Sequence, residues 1–223
     1  MIPTPDTSHL TRADFDQVYE PAEDTFLLLD ALEEDAAALR SMKASICLEV
    51  GSGSGCVTSF AGKILGPSVL YLTTDINPHA CRSTYLTGVK NHVDINPING
   101  SLLSPFEHRL KEKVDIVLFN PPYVPTSGEE ALDAQAMRDI GGAWAGGSDG
   151  MQVTNVLLER VEAILSPNGR FYLVALKQNN IPHIFATMSE KHSLHGEIVL
   201  QRRAGREHLF ILRFTRNKAA DTA

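Results

Sequence analysis

Cysteine is scarce in this 223-residue chain. Cys47, Cys56 and Cys81 stand far apart with no CxxC pair, which argues against a disulfide-stapled scaffold and against a cysteine-built metal site. No apolar run approaches the roughly 20 residues that a bilayer-crossing helix needs, so no membrane association is expected. The opening stretch MIPTPDTSHLTRADF lacks the basic-then-apolar order of a secretory signal. The expected setting is reducing and intracellular: the cytoplasm, with the nucleus as a second compartment. Positive charge is in deficit, with 20 Lys and Arg against 27 Asp and Glu and a net charge of −7. That balance argues against a broad electrostatic grip on nucleic acid, although it leaves room for a local basic patch. No internal repeat, low-complexity tract or linker divides the chain. Its length suits one domain with a full core.

What the sequence does contain is alternation. EPAEDTFLLLDALEEDAAALRSM reads as one helix, with Pro21 in its first turn and an apolar face of Phe26, Leu27, Leu29, Leu32 and Leu39. SICLEV reads as a buried strand, CVTSFAGKIL as a helix and SVLYLTTD as a second strand. A helix follows in which Asn77 is the cap and Pro78 lies in the first turn. DINPING is a weak third strand and KVDIVLFN a strongly apolar fourth. Between Pro121 and Gly150 the chain is long, irregular and glycine-rich, the signature of a functional loop. MQVTNVLLERVEAIL is helical, with Val153, Val156, Leu157 and Val161 on one side. After an SPNG turn come the strand RFYLVAL, the helix IPHIFATMSEKH and two strands joined near Ala204 and Gly205. Strands alternating with helices predict an α/β fold. The expected sheet is seven-stranded and mostly parallel, Rossmann-like, with helices on both faces and a C-terminal hairpin that adds an antiparallel strand. Residues 1–15 are expected to be a flexible N-terminus, 16–215 the domain and 216–223 a flexible tail.

Three stretches carry chemistry. LEVGSGSG lies between a strand and a helix, where doubly wound folds bind nucleotides. Gly51, Gly53 and Gly55 allow a sharp turn and a close approach to a ligand. Cys56 stands where a dinucleotide fingerprint wants its last glycine. Glu49, two residues before Gly51, is awkward beside a pyrophosphate and sensible beside a cation. S-adenosylmethionine, a sulfonium that also carries an ammonium group, suits it; a plain tight turn is the alternative. Asp75 closes the second strand, where an acid accepts both hydroxyls of a ribose; it reads equally as a helix cap. Ile76 is placed to cover an adenine face. The third stretch is Asn120, Pro121, Pro122 and Tyr123, NPPY, directly after the fourth strand. Proline fixes φ and removes a donor, so the carbonyls of Asn120 and Pro121 are rigidly aimed. The Asn120 side-chain oxygen and a backbone oxygen can take both hydrogens of a planar NH2, with Tyr123 stacked on its plane. That fixes the nitrogen at one spot and raises its electron density. The alternative is a polyproline-like strand exit.

In that order, the motifs resemble those of class I methyltransferases that modify planar nitrogen. VYEPAEDTFLLLDAL narrows the resemblance to the HemK-like glutamine methyltransferases, in their eukaryotic and archaeal branch, and GGAWAGGSDG is similar to that branch's loop after NPPY. The resemblance spans about residues 17–215. The extra N-terminal helical domain of bacterial members is expected to be absent here. The resemblance implies that Tyr19, Glu20, Pro21 and Thr25 close over the cofactor. It places Glu49, Gly51 and Gly53 at the cofactor's methionine end and Asp75 at its ribose. Asn120, Pro121, Pro122 and Tyr123 become the catalytic tetrapeptide, with Asn120 and Tyr123 also holding substrate. One departure stands out. The family usually has an acid at the adenine amine after the third strand, whereas INGSLLSPF offers Ser101 followed by Leu102. A serine oxygen accepts that bond more weakly than a carboxylate; Asn99 is an alternative contact.

The resemblance also implies partners. The substrate would be the glutamine in the Gly-Gly-Gln tip of the class 1 translation termination factor, presented with that factor's GTPase partner. A small zinc-binding activator protein would complete a heterodimer by covering an apolar region near the third strand. Any zinc would belong to the activator, and this chain is expected to hold no metal. The same tetrapeptide also suits adenine N6 in DNA or RNA. Enzymes that extract a base, however, have a basic groove or an added recognition domain, and neither is legible here, so no direct nucleic-acid partner is expected. Lysine methylation and a non-enzymatic cofactor scaffold are the remaining readings, the latter disfavoured by an intact NPPY. His192 and His195 read as solvated surface residues at a helix–strand junction. Arg202, Arg203 and Arg206 read as hairpin-turn charge, ALEEDAAALR as a solvated helix face, and Trp144 as either a substrate-mouth residue or a loop anchor.

Overall fold

The computed structural model describes residues 1–122 and 150–217. Seven strands form one sheet: β1 (Ile46–Val50), β2 (Leu70–Asp75), β3 (Ile95–Asn99), β4 (Val114–Phe119), β5 (Leu165–Leu176), β6 (Leu194–Ala204) and β7 (Glu207–Arg216). Their order is β3-β2-β1-β4-β5-β7-β6. Pairing is parallel from β3 through β5, and β7 runs antiparallel to both its neighbours. The apolar runs of β1 and β4 put them in the middle, buried on both faces.

Side chains alternate across the sheet with a period of two. Ile116 and Leu118 join a core covered by α2 (Glu23–Glu34), α3 (Ala36–Ser41) and α4 (Cys56–Leu65). Val117 and Phe119 join a second core under α6 (Gln152–Ile164) and α7 (Ile181–His192). A short α1 (Arg12–Phe15) precedes these, and α5 (Pro78–Asn91) packs on α4, β2 and β3. Among the described residues, no helix is long and apolar enough to cross a membrane.

Several expectations change. The single long helix is two: Asp35, with φ −83° and ψ −1°, ends α2 and caps α3. Its carboxylate turns inward to Tyr172, Arg170 and Arg213, so ALEEDAAALR is not wholly a solvated face. Phe26, placed on the apolar face by periodicity, is exposed, and Leu28 is buried instead. The SPNG turn is absorbed into the irregular start of β5, where the register against β4 shifts between Val114 and Ile116. Residues 1–15 lie along the body. Ile2 N donates to Glu33 at 2.6 Å, Asp6 N donates to Asn91 Oδ1 at 2.8 Å, and Pro5 and Leu10 are buried. Arg216 remains in β7 and donates to the carbonyls of Glu162 and Leu165 at 2.9 and 3.0 Å. The rest of the expected tail, from residue 218, lies outside the described residues, as do Trp144 and most of the glycine-rich loop.

Candidate active site

The strand order reverses between β1 and β4, and ligands of open α/β sheets sit beyond the carboxyl ends at such a point. The register brings those ends level: Val50 lies opposite both Thr74 and Phe119. The loop after β1 turns back at once, Gly51 N donating to Thr74 O at 2.7 Å. Gly55 caps α4 at φ +77°, and a Cβ there would stand 2.7 Å from the Thr84 backbone. Only glycine meets both demands. The neighbouring helix laces the loop down. Thr84 Oγ1 donates to Ser52 Oγ at 2.9 Å, and Thr87 Oγ1 donates to Ser54 O at 2.6 Å. Gly53 faces open space.

That space is a cavity of about 350 Å³, within the usual range for small-molecule sites. Two carboxylates line it, the buried Glu49 and the partly buried Asp75. Glu49 Oε2 accepts from Thr58 N at 3.0 Å and from the Thr58 hydroxyl in a short bond. Burial nevertheless pushes the Glu49 carboxyl up to about 8, with the charge of Asp75 adding to the rise. Asp75 is also pushed above the usual carboxylate range by burial. Its oxygens accept from Gly53 N at 3.0 Å and Asn77 N at 2.9 Å, which oppose that rise. Two acids with no cationic side chain paired to them among the described residues make a site that favours a positively charged ligand rich in hydroxyl donors. Asn77 does more than cap α5. Its Nδ2 donates to Gln17 O at 2.7 Å, tying the N-terminal segment to the cavity mouth. Val18 and Tyr19 then form part of the wall.

Asn120 follows β4 directly. Its Nδ2 donates to Asp24 Oδ2 at 3.0 Å. Its Oδ1 is buried without a hydrogen-bond partner among the described residues. Asp24 is 3% exposed and also accepts from Thr25 N at 2.6 Å and from the Tyr19 hydroxyl at 3.2 Å. Pro121 and Pro122 are buried beside it. Asn120 thus lines the same cavity as Glu49, Asp75 and the glycine cradle.

Most of the sequence-predicted positions meet here. Tyr19, Thr25, Glu49, Gly51, Gly53, Asp75 and Ile76 line the cavity, as do Ser101, Leu102, Asn120, Pro121 and Pro122. Glu20 and Pro21 do not: Glu20 points to solvent, because the chain passes the cavity with Tyr19 and returns with Asp24. Asn99, the alternative to Ser101, is not among the residues that line the cavity. Its Nδ2 is spent on the carbonyls of Asp75 and Ile76, at 3.0 and 2.9 Å. Tyr123 lies outside the described residues. Sequence reading missed Asp24, Asn77 as a tether, and the α6 residues Gln152, Val153 and Val156. Val156, expected on the buried side of its helix, is 41% exposed and faces the cavity. Arg202, read as hairpin-turn charge, donates to Asp30 at 2.5 Å. Among the described residues, no cluster of His, Cys, Asp or Glu could hold a metal.

Residues 22–139 match the family described as Methyltransferase small domain. The chain is 47% identical over 216 residues to Methyltransferase HEMK2 of Mus musculus, covering 97% of this chain and 98% of that one. It is 43% identical to the eRF1 methyltransferase catalytic subunit mtq2 of Schizosaccharomyces pombe, over 97% of this chain and 96% of the other. Among solved structures, it is similar to the E. cuniculi Mtq2-Trm112 complex, whose description makes it responsible for methylation of the eRF1 translation termination factor. The TM-score is 0.66 at 27% identity, covering 90% of this chain and 99% of that chain.

Proposed function

The chain belongs to the methyltransferase small-domain family, and from that membership we propose that it methylates the side-chain amide nitrogen of a glutamine, with S-adenosylmethionine as donor. The substrate is the Gly-Gly-Gln motif of the class 1 translation termination factor. The chain acts as the catalytic subunit of a heterodimer with a small zinc-binding activator. One observation carries the reading: Asn120, whose buried Oδ1 has no hydrogen-bond partner among the described residues, lines a cavity whose acids call for a cation.

The residues present fit the cofactor. Glu49 would take its ammonium end, Asp75 its ribose hydroxyls, Ile76 and Leu102 its adenine faces and Ser101 its adenine amine. The cofactor supplies an electrophilic methyl group on a sulfonium. The protein supplies position. Asn120 Oδ1 and the Pro121 carbonyl accept from the substrate NH2, which fixes the nitrogen and enriches its lone pair. Tyr123 is assigned to stack on the amide plane. Phe119, Pro121, Pro122 and Val156 keep water out. The net change is one N–H replaced by N–CH3, with a proton released.

The activator is assigned to the β3 edge of the sheet. There α5 exposes Tyr85, Leu86 and Val89, at 54%, 38% and 57%, and an uncovered strand edge seeks a partner. The test is methyl incorporation by the chain with and without the activator. The expected product is the methylated Gly-Gly-Gln factor, formed only by the heterodimer. Incorporation into adenine of DNA or RNA in place of the factor would overturn the assignment.

Cofactor affinity should depend on pH. An acid raised to about 8 is largely protonated at neutral pH, and a cationic ligand binds its ionised form. Binding therefore releases a proton, and affinity falls as pH drops below about 8, by up to about tenfold per unit. Calorimetry between pH 6 and 8 should show that slope, and Glu49→Gln should flatten it and weaken binding at pH 8. A flat wild-type profile would remove Glu49 from this role.

A further inference from the structure

We propose that Asp24 is a positioning residue that fixes which way round the Asn120 carboxamide sits, and so makes the site select a carboxamide over a carboxylate. This rests on the glutamine-methylating reading of the same cavity. An asparagine side chain has two nearly isosteric orientations, oxygen or nitrogen toward a given neighbour. Here the neighbour at 3.0 Å is a carboxylate, which only accepts hydrogen bonds when ionised. The NH2 end must therefore face Asp24. The oxygen end must face away, where it is buried and has no partner among the described residues. A flipped Asn120 would set its oxygen against a carboxylate that is 3% exposed, with little water to relieve the repulsion.

Asp24 is itself held. The Thr25 amide donates to it at 2.6 Å and the Tyr19 hydroxyl at 3.2 Å. It also lies in the first turn of α2, where the helix dipole favours a negative charge. The reading head of the site is consequently an acceptor and stays one. A glutamine side chain, which offers N–H, satisfies it. A glutamate in the same place would oppose oxygen to oxygen and leave a buried acceptor unpaired, an arrangement that discriminates strongly. Asp24 is assigned its role through Asn120, as a matter of orientation.

The decisive variant is Asp24→Asn, which keeps size and hydrogen bonding but lets either end of Asn120 face it. In the heterodimer, kcat on the Gly-Gly-Gln factor should fall by about thirtyfold or more, with the Kd for S-adenosylmethionine moving less than about fivefold. The ratio of inhibition by a Gly-Gly-Glu peptide to that by a Gly-Gly-Gln peptide should rise about tenfold. A purely structural role would weaken both peptides together and leave the ratio alone. A second readout needs no activity. In the 15N spectrum of the wild-type heterodimer, the Asn120 side-chain NH2 should be shifted and slow to exchange, and in Asp24→Asn it should lose both properties. If wild-type enzyme methylates no glutamine, the functional reading fails, while the Asn120 signal still tests Asp24. If Asp24→Asn does not fold, the wild-type signal decides. An NH2 that exchanges as freely as surface asparagines, or a variant with unchanged turnover and ratio, overturns the inference.

Discussion

Asn120→Ala should lower kcat for glutamine methylation by two to three orders of magnitude while leaving the Kd for S-adenosylmethionine within about threefold. The size follows from the residue's only chemical task. An amide nitrogen is a poor nucleophile, and the site has to hold it in line while accepting its hydrogens. Removing one aimed hydrogen-bonding group from such a site costs about 3–4 kcal/mol of transition-state stabilisation. The cofactor's ammonium and ribose hydroxyls are assigned to Glu49 and Asp75 instead, whose bonds to Thr58, Gly53 and Asn77 do not pass through Asn120. Loss in kcat with binding preserved is the pattern of an interaction made mainly in the transition state. Asn120→Asp should do no better, because it would set a second carboxylate against the Asp24 oxygen that Asn120 Nδ2 now contacts at 3.0 Å. Steady-state kinetics on the termination factor, with cofactor binding followed by calorimetry, check both variants. An Asn120→Ala enzyme that keeps a tenth of wild-type turnover would move the chemistry elsewhere in the cavity.

The parts of this site that sequence alone reveals are those written in contiguous stretches. A strand, a glycine turn and a helix put Glu49, Gly51 and Gly53 together within a few residues. Asp75 and Asn120 end their strands in the same way, and a parallel sheet levels those ends automatically. The parts that stay hidden depend on distant partners. Asp24 and Asn120 are 96 positions apart, and nothing local in EDTF says that its second acid will meet an asparagine. Asn77 has a local signature as a cap, which conceals its second bond to Gln17, 60 positions away. Phe26 and Val156 fail for a related reason. Periodicity finds an apolar stripe but not the place where the stripe overhangs solvent or a cavity. The N-terminal fifteen residues have polar composition and no period. They are placed by scattered bonds, to Glu33, Lys63, Thr87 and Asn91 among others, that no composition rule anticipates.

Asp35→Ala should destabilise the folded chain by about 2–4 kcal/mol, the largest stability effect expected of any single surface-derived acid here. Asp35 sits in a row that crosses three strands and one helix joint. Tyr172 pairs with Arg213 across β5 and β7, and Arg213 pairs with Glu197 across β7 and β6. The Tyr172 hydroxyl donates to Asp35 at 2.5 Å, Arg213 donates to the same oxygen in a short bond, and Arg170 approaches at 3.4 Å. The side chains of Asp35, Arg170 and Arg213 are only 15%, 20% and 19% exposed. Deleting the acid leaves two arginines and a phenol facing one another with little water, which is worse than never having had the pair. Partial exposure keeps the loss below that of a fully buried pair. For a chain of this size the melting temperature should fall by roughly 5–12 °C. Asp35→Asn, which keeps an acceptor for Tyr172, should lose about half as much. The same acid breaks α2 from α3, and α2 carries Asp24 at its other end. Well below its lowered melting temperature the variant should still bind cofactor normally, because the Asp24 bonds do not involve Asp35. A melting temperature within a degree or two of wild type would mean that water already solvates the cluster, and that the row across β5, β7 and β6 stands without its acid.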